Sequence, residues 1–481
     1  MEKNFGSHKF IVDLFVMKNS LLFLGTIFLL SLFACKKDSF ITSGDARLNI
    51  STDSLRFDTV FTSVGSVTQS FKIRNDNEQP LQLSEIKLMG GNSSSFRLNI
   101  NGVATNQLSN IAIAAEDSIY VFVSVTVNPT AANLPFIISD SISIQYNGNQ
   151  RWVQLEAYGQ NANFINGLSI TSNTSFTNTK PYVILDYLHV EEGVTLTIPP
   201  GTKIYAHANA PIIVDGSINA IGDAFNKITF SGNRLDAPYN DFPASWPGII
   251  FRSSSIDNIF QFVEIKNAYQ AMVVDQPATN SNPKLLLLQC SISNAYDAGI
   301  LAINSSINAS NVLISNCANN IAVQGGGNYS FTHCTAASFS NNYLLHKTPV
   351  LTVLNFVTQN AAVVTNELNA NFSNCIFWGD AGFIENELVV GKQGALPFTV
   401  SFTNCLYRSQ VDPPNAVLTN VIKNQEPLFD SIDASNKYYD FRFTKNPSPA
   451  LEAAAASAIN KDLDNNGRPV GLPDIGCYEK Q

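Results

Sequence analysis

The sequence predicts an all-β chain in which a β-sandwich is followed by a solenoid of parallel strands. Three observations predict it. Apolar residues alternate with period two from about Asn49 to Ala157, and beyond Asn163 apolar runs of four to six residues recur between Gly, Asn and Ser turns. Few stretches anywhere carry helical periodicity. At 481 residues the chain has room for about two or three domains. Its 45% of hydrophobic residues can fill their cores, which excludes disorder. Charged residues make up only 14% and the net charge is −9, so no basic face is available to neutralise phosphates. Nucleic-acid binding is excluded on that ground.

Residues 1–35 read as targeting rather than fold. Met17-Lys18 precedes a 14-residue apolar run, LLFLGTIFLLSLFA (21–34), too short for an ordinary membrane span and fitting a signal-peptide core. Residues 1–16 add nothing to that pattern, which makes Met17 a candidate start. Leu32-Phe33-Ala34-Cys35 resembles the lipobox of bacterial lipoproteins, and Lys36-Lys37-Asp38 resembles the charged run behind that cysteine in Bacteroidetes-type surface lipoproteins. The resemblance implies lipidation of Cys35 and a place in the cell envelope, at the outer membrane, held by acyl chains without a transmembrane helix.

After a linker (36–47), residues 48–162 carry the alternation. Ile119, Val121, Val123, Val125 and Val127 share one face, and Asn147-Gly148-Asn149 separates two alternating runs as a hairpin turn does. Many short strands in so short a segment indicate a sandwich. Ile73-Arg74-Asn75, Leu81-Gln82-Leu83 and the valine strand from Asp117 resemble the immunoglobulin-like modules of the ASPM/SPD-2/Hydin type. That resemblance implies a binding or spacer unit.

Residues 163–425 carry the repeated runs, among them VTLTI (194–198), PIIVDG (211–216), KITFSG (227–232), LLLL (285–288) and NVLISN (311–316). Each such coil cannot bury its own apolar face and must stack on its neighbours. At roughly 22 residues per coil the segment holds about a dozen coils, a rod roughly 55 Å long. GVTLTIPPGTKIYAH (193–207) and GNRLDAPYNDFPASWPGIIF (232–251), with the later asparagine–cysteine phrases, resemble the right-handed parallel β-helix of the pectin-lyase-like fold, as found in Bacteroidetes lipoproteins. The tail, 426–481, resembles the closing segment of bacterial β-helix surface proteins through Pro427-Leu428-Phe429, Ser448-Pro449-Ala450, 462–468 and Asp474-Ile475-Gly476. That family usually carries alanine where Cys477 stands. A cap over the open end of the rod would hide its strand edges.

Five phrases end in a polar residue and a cysteine: Gln289-Cys290, Asn316-Cys317, His333-Cys334, Asn374-Cys375 and Asn404-Cys405. Their separations of 27, 17, 41 and 30 residues read as one, one, two and one coils. No CxxC or HxxxH pair supplies zinc-ligand spacing. The favoured reading is an interior stack of small apolar side chains beside asparagine turns, with inter-coil disulfides as the alternative.

Catalytic chemistry on a polysaccharide needs two nearby carboxyls, or a base with a cation. No acid–base set of the polygalacturonase kind is evident, and residues 298–346 contain no Asp, Glu, Lys or Arg. The strongest candidate ligand site is the loop with Arg234, Asp236, Tyr239, Asp241 and Trp246, together with Arg252; Glu264 and Lys266 lie one coil on. Its aromatics are of the kind that sugar-binding surfaces use. Asp462, Asp464 and Asn466 match the first half of an EF-hand-type loop, but Pro473 stands where the bidentate Glu belongs, so a turn is favoured over a Ca²⁺ site, and no cofactor is otherwise implied. The favoured function is a non-catalytic envelope lipoprotein binding glycan or a surface protein through its β-helix face. The alternative, from fold alone, is a polysaccharide lyase or glycoside hydrolase.

Overall fold

The computed structural model describes residues 39–62, 65–66, 68–128, 136–359, 362–444 and 447–481. The apolar run expected to be a signal segment, and Cys35 with it, lie outside the described residues. Two compact units divide the chain, the first drawn mainly from residues up to 157 and the second from 158–481, with 58–64 and 127–136. Among the described residues no helix is long and apolar enough to cross a membrane.

The first unit is the expected sandwich. Leu48–Ile50, Gln69–Asn75, Ser118–Val125, Phe96–Ile100 and Val103–Ala104 make one antiparallel sheet; Leu81–Leu88 pairs antiparallel with Gln107–Ile113 and with Phe136–Tyr146 in the other. The alternation has its predicted result, since Ile119, Val121, Val123 and Val125 are all 5% exposed or less. Asn147 and Gly148 both have positive φ, which is what a two-residue hairpin turn twisted like its strands requires.

The second unit is a parallel β-helix with three ladders. Ladder A includes Leu188–Val190, Ile212–Val214, Ile249–Phe251 and Gln270–Asp275; ladder B includes Thr195–Ile198, Ser217–Ile221, Asn258–Gln261 and Leu285–Leu288. Ladder C runs from Asn163–Ile165 through Val263–Lys266, Ser291–Ser293, Leu313–Ser315, Thr335–Ser338 and Ile376–Gly379 to Ile422–Lys423. Inward residues of all three ladders form one continuous core from Ile165 to Tyr407.

The corners explain the cysteine phrases. From Gln289 onward the chain passes between ladders B and C through a left-handed residue in successive coils, Gln289, Asn311, His333, Asn374, Asn404 and Asn420. Asparagine tolerates that conformation best among side chains with a Cβ. The next residue turns inward: Cys290, Val312, Cys334, Cys375, Cys405 and Val421 form one column. All six described cysteines are buried, and no two of them are bonded in this structure.

The coil count read from cysteine spacing needs correction. Cys317 belongs to the other corner, between ladders C and A, where Ala268 and Ala295 are its counterparts after Asn267 and Asn294. Cys290 and Cys334 are two coils apart, with Val312 between them, whereas Cys334 and Cys375 are neighbours despite their 41-residue separation. The coils at 289–294 and 311–316 have left-handed corners on both sides of ladder C, and a later coil is lengthened by an antiparallel hairpin, Phe356–Gln359 with Ala362–Thr365.

The tail lies along the outer face of ladder C, where the sequence suggested a cap over the rod's end. Leu313 and Ala337 pack outward against Phe441, Leu463, Cys477 and Tyr478; Ile376, Trp378 and Leu406 pack against Phe443, Ala450 and Ile475. Strands buried on both faces need this lateral cover, and the cover hides several apolar side chains at once. The left-handed corner residues hold it: Gln289 donates to Asp462 O, Asn311 to Lys461 O, Asn374 to Ala455 O and Asn404 to Ala453 O.

Candidate functional site

Where the tail leaves ladder C uncovered, a groove of about 350 Å³ remains. Its floor is the outward row Lys266, Ser293 and Ser315, in three successive coils, beside Ser291 and Leu313. The tail segment Lys437 to Phe441 forms one wall and the loop at Asn240-Asp241 another. Asn267 and Asn294 fix that loop, donating to Asn240 O at 2.6 Å and Asp241 O at 2.8 Å, and Asn294 also donates to Asn267 Oδ1. The left-handed corner between ladders C and A thus carries an amide ladder along the groove's rim.

An aromatic clasp adjoins the groove through Asp241 and Lys437. Tyr239, Phe242 and Tyr343 make successive edge-on contacts, with centroids 5.1 and 4.8 Å apart. Arg234 lies 3.8 Å over Tyr239, and Lys437 4.5 Å over Tyr343. Asp236 holds Arg234 from below at 2.8 Å, and Asp241 holds Lys437 at 2.7 Å. Four of these charges are therefore paired, while Lys266 is exposed and has no ion-pair partner among the described residues.

The predicted site residues separate into groups. Arg234, Asp236, Tyr239 and Asp241 share the loop and its clasp. Trp246 is a packing residue: it is 1% exposed, and its indole N–H donates to Lys266 O at 2.9 Å. Glu264 pairs with Lys227 at 3.1 Å. Arg252 belongs elsewhere, on the outer surface at the end of ladder A.

There the structure brings together residues that sequence spacing did not. Glu191, Asp215, Arg252 and Asp275 occupy equivalent positions at the ends of four successive ladder A strands. His189 lies between two carboxylates, its Nε2 2.8 Å from Asp215 and its Nδ1 3.2 Å from Glu191. Arg252 forks onto both Asp215 oxygens, and its guanidinium holds the Asp215 carboxyl below the usual carboxylate range. Beneath the column, Lys284 is fully buried and donates to Arg252 O, Ser253 O and Asp275 O at 2.7 to 2.9 Å. Burial pulls its pKa down to about 8. The missed signal was positional: LHVE, IIVD, IIFR and MVVD each end an apolar strand in a charge.

The EF-hand-like stretch is a turn whose polar groups are engaged within the tail. Asp462 is 1% exposed and accepts from the backbone N–H of Asn466 and Glu479, while Asp464 pairs with Arg442 at 2.7 Å. No group of three or more His, Cys, Asp or Glu among the described residues is arranged to hold a metal ion.

No protein-family model and no curated protein sequence matches the chain. Among solved structures, pectate lyase Pel9A is 11% identical, with a TM-score of 0.24, over 66% of this chain and 97% of its own. The catalytic unit of the GH87 α-1,3-glucanase from Streptomyces thermodiastaticus is 10% identical, with a TM-score of 0.21, over 77% and 93%. The ASH/PapD-like domain of human CEP192 is 9% identical, with a TM-score of 0.17, over 26% and 92%. A family 123 glycoside hydrolase from Clostridium perfringens, 9% identical with a TM-score of 0.18, is covered over only 26% of its own length and 28% of this one. Likenesses this distant carry no argument about activity; the ladders themselves define the fold.

Proposed function

We propose that this protein is a non-catalytic, lipid-anchored cell-envelope protein that binds a glycan in the groove on ladder C. One observation carries the reading: a line of serine hydroxyls and rim amides, with the unpaired Lys266 at one end, lies beside an aromatic clasp whose own charges are already neutralised. Hydroxyls and amides offer the donors and acceptors that a polyhydroxyl ligand uses, and aromatic faces suit its C–H surfaces. The groove's one acid, Asp241, is committed to Lys437, which argues against proton transfer there. Cys35 supplies the anchor in this reading, and the sandwich serves as the spacer. A glycan array probed with the mature protein tests it. Binding that falls at least tenfold in Lys266→Ala and Ser293→Val supports the reading, and no bound glycan would contradict it.

A second reading has its own observation. The set His189, Glu191, Asp215 and Arg252 places two carboxylates, an imidazole and a guanidinium on neighbouring coils. That arrangement favours a polysaccharide lyase or hydrolase, and turnover abolished by Asp215→Asn or His189→Ala would establish it.

A further inference from the structure

The inward column between ladders B and C contains three cysteines in unbroken succession, Cys334, Cys375 and Cys405. Both strands flanking this corner are in register: Thr332 pairs with Ser373 and Ser373 with Thr403, while Thr335 pairs with Ile376 and Ile376 with Leu406. The three residues are thus stacked at the spacing of adjacent parallel strands, about 4.8 Å, inside the Cα range of about 4.4 to 6.8 Å that a disulfide spans. Each sulfur leans one coil back. Cys375 Sγ lies 3.4 Å from Phe331 O and accepts from Cys334 N at 3.5 Å; Cys405 Sγ lies 3.4 Å from Phe372 O. Cys375, the middle member, has a cysteine in the adjacent coil on either side. Cys290 is cut off from this run by Val312, and Cys317 belongs to the other corner.

We propose that Cys334, Cys375 and Cys405 form a disulfide site in which Cys375 bonds to one neighbour or the other, so that the two pairings exclude each other. The chemistry is thiol–disulfide exchange with a donor disulfide, either oxidised glutathione or an oxidoreductase. One cysteine thiolate attacks the donor, forming a mixed disulfide and releasing one donor thiol. The second cysteine thiolate then displaces the other donor thiol. Two protein S–H bonds are lost, one S–S bond forms, and the donor disulfide is reduced to two thiols. Since all three side chains are at most 2% exposed, exchange takes place while the coils are still open, before the tail closes over the left-handed corners. The bond would tie together the coils that bear the longest insertion, between Cys334 and Cys375, or the coil that follows.

The column supplies its own controls, because valine already fills the equivalent corner at 312 and 421. The mature protein is refolded from denaturant with a reduced and oxidised glutathione buffer, alkylated under denaturing conditions and analysed by peptide mass spectrometry. Wild type is expected to show two fewer alkylated cysteines, in peptides joining Cys375 to Cys334 or to Cys405. Cys405→Val is expected to give only the first cross-link, Cys334→Val only the second, and Cys375→Val neither, while Cys290→Val changes nothing. Near-native circular dichroism establishes that each variant has folded. Full alkylation of folded wild type, or a cross-link that survives in Cys375→Val, would overturn the proposal.

Discussion

Asn374 and Ala455 close a two-bond ring across 81 residues of sequence: Asn374 Nδ2 donates to Ala455 O at 2.9 Å, and Ala455 N donates to Asn374 Oδ1 at 2.9 Å. A side-chain amide here does the work of a strand backbone. Gly476 N adds a third bond to Asn374 O at 2.9 Å, so a single corner residue grips the tail twice. Asn374→Gly keeps the left-handed corner and deletes only the side-chain bonds, so a stability loss of roughly 1–3 kcal/mol is expected in urea unfolding. Hydrogen exchange is expected to quicken at residues 453–457. Unchanged protection there would mean that the corner does not hold the tail.

Lys284 tests the charged column from beneath. Its ammonium donates to three backbone carbonyls, and Lys284→Met removes that donor from Ser253 O and Asp275 O, while Arg252 O keeps the bond from Ser255 N. A loss on the order of 3 kcal/mol is expected in chemical denaturation. A neutral substitution would show that water replaces the ammonium.

Asp215 gives the pH dependence. Its hydrogen bond from Arg252 lowers its folded-state pKa, so its contribution is fully present above the unfolded value of about 3.9. The contribution is lost as pH falls through the depressed folded value. Asp215→Asn should therefore lose less stability than wild type on acidification below about pH 4. Parallel acid-unfolding curves for the two proteins would contradict the ion-pair assignment.

Gly379 makes room for a buried pair. A Cβ there would lie 2.3 Å from His346 Nε2 and 2.5 Å from Glu387 Oε1, and Glu387 also accepts from Arg408 at 2.8 Å. Gly379→Ala is expected to cost about 1–3 kcal/mol or more through overpacking, seen as a lowered Tm. An unchanged Tm would show that the pair can shift aside.

The fold was legible because local pattern decides it. Period-two alternation at 119–127 and the short apolar runs beyond 163 need no partner to be read. The inward place of the cysteines was also legible, since a small apolar residue that recurs behind a polar turn residue marks an interior corner. Their count was not, because coils between 16 and 41 residues long erase any fixed spacing. The same variation hid the column of Glu191, Asp215, Arg252 and Asp275, whose members are neighbours only after the ladders form. The lateral tail was half visible. Ile376-Phe377-Trp378 is apolar on both faces of its strand, a sign that something must cover the outer one. The groove is what that cover leaves open, and only the path of the tail defines it.

The most direct test of the functional account incubates the mature protein with the polysaccharide that it retains best. Bound polymer and newly formed chain ends are measured on the same sample. The account predicts retention that depends on Lys266, with no new reducing or unsaturated ends. New ends that disappear in Asp215→Asn would contradict it and identify an enzyme instead.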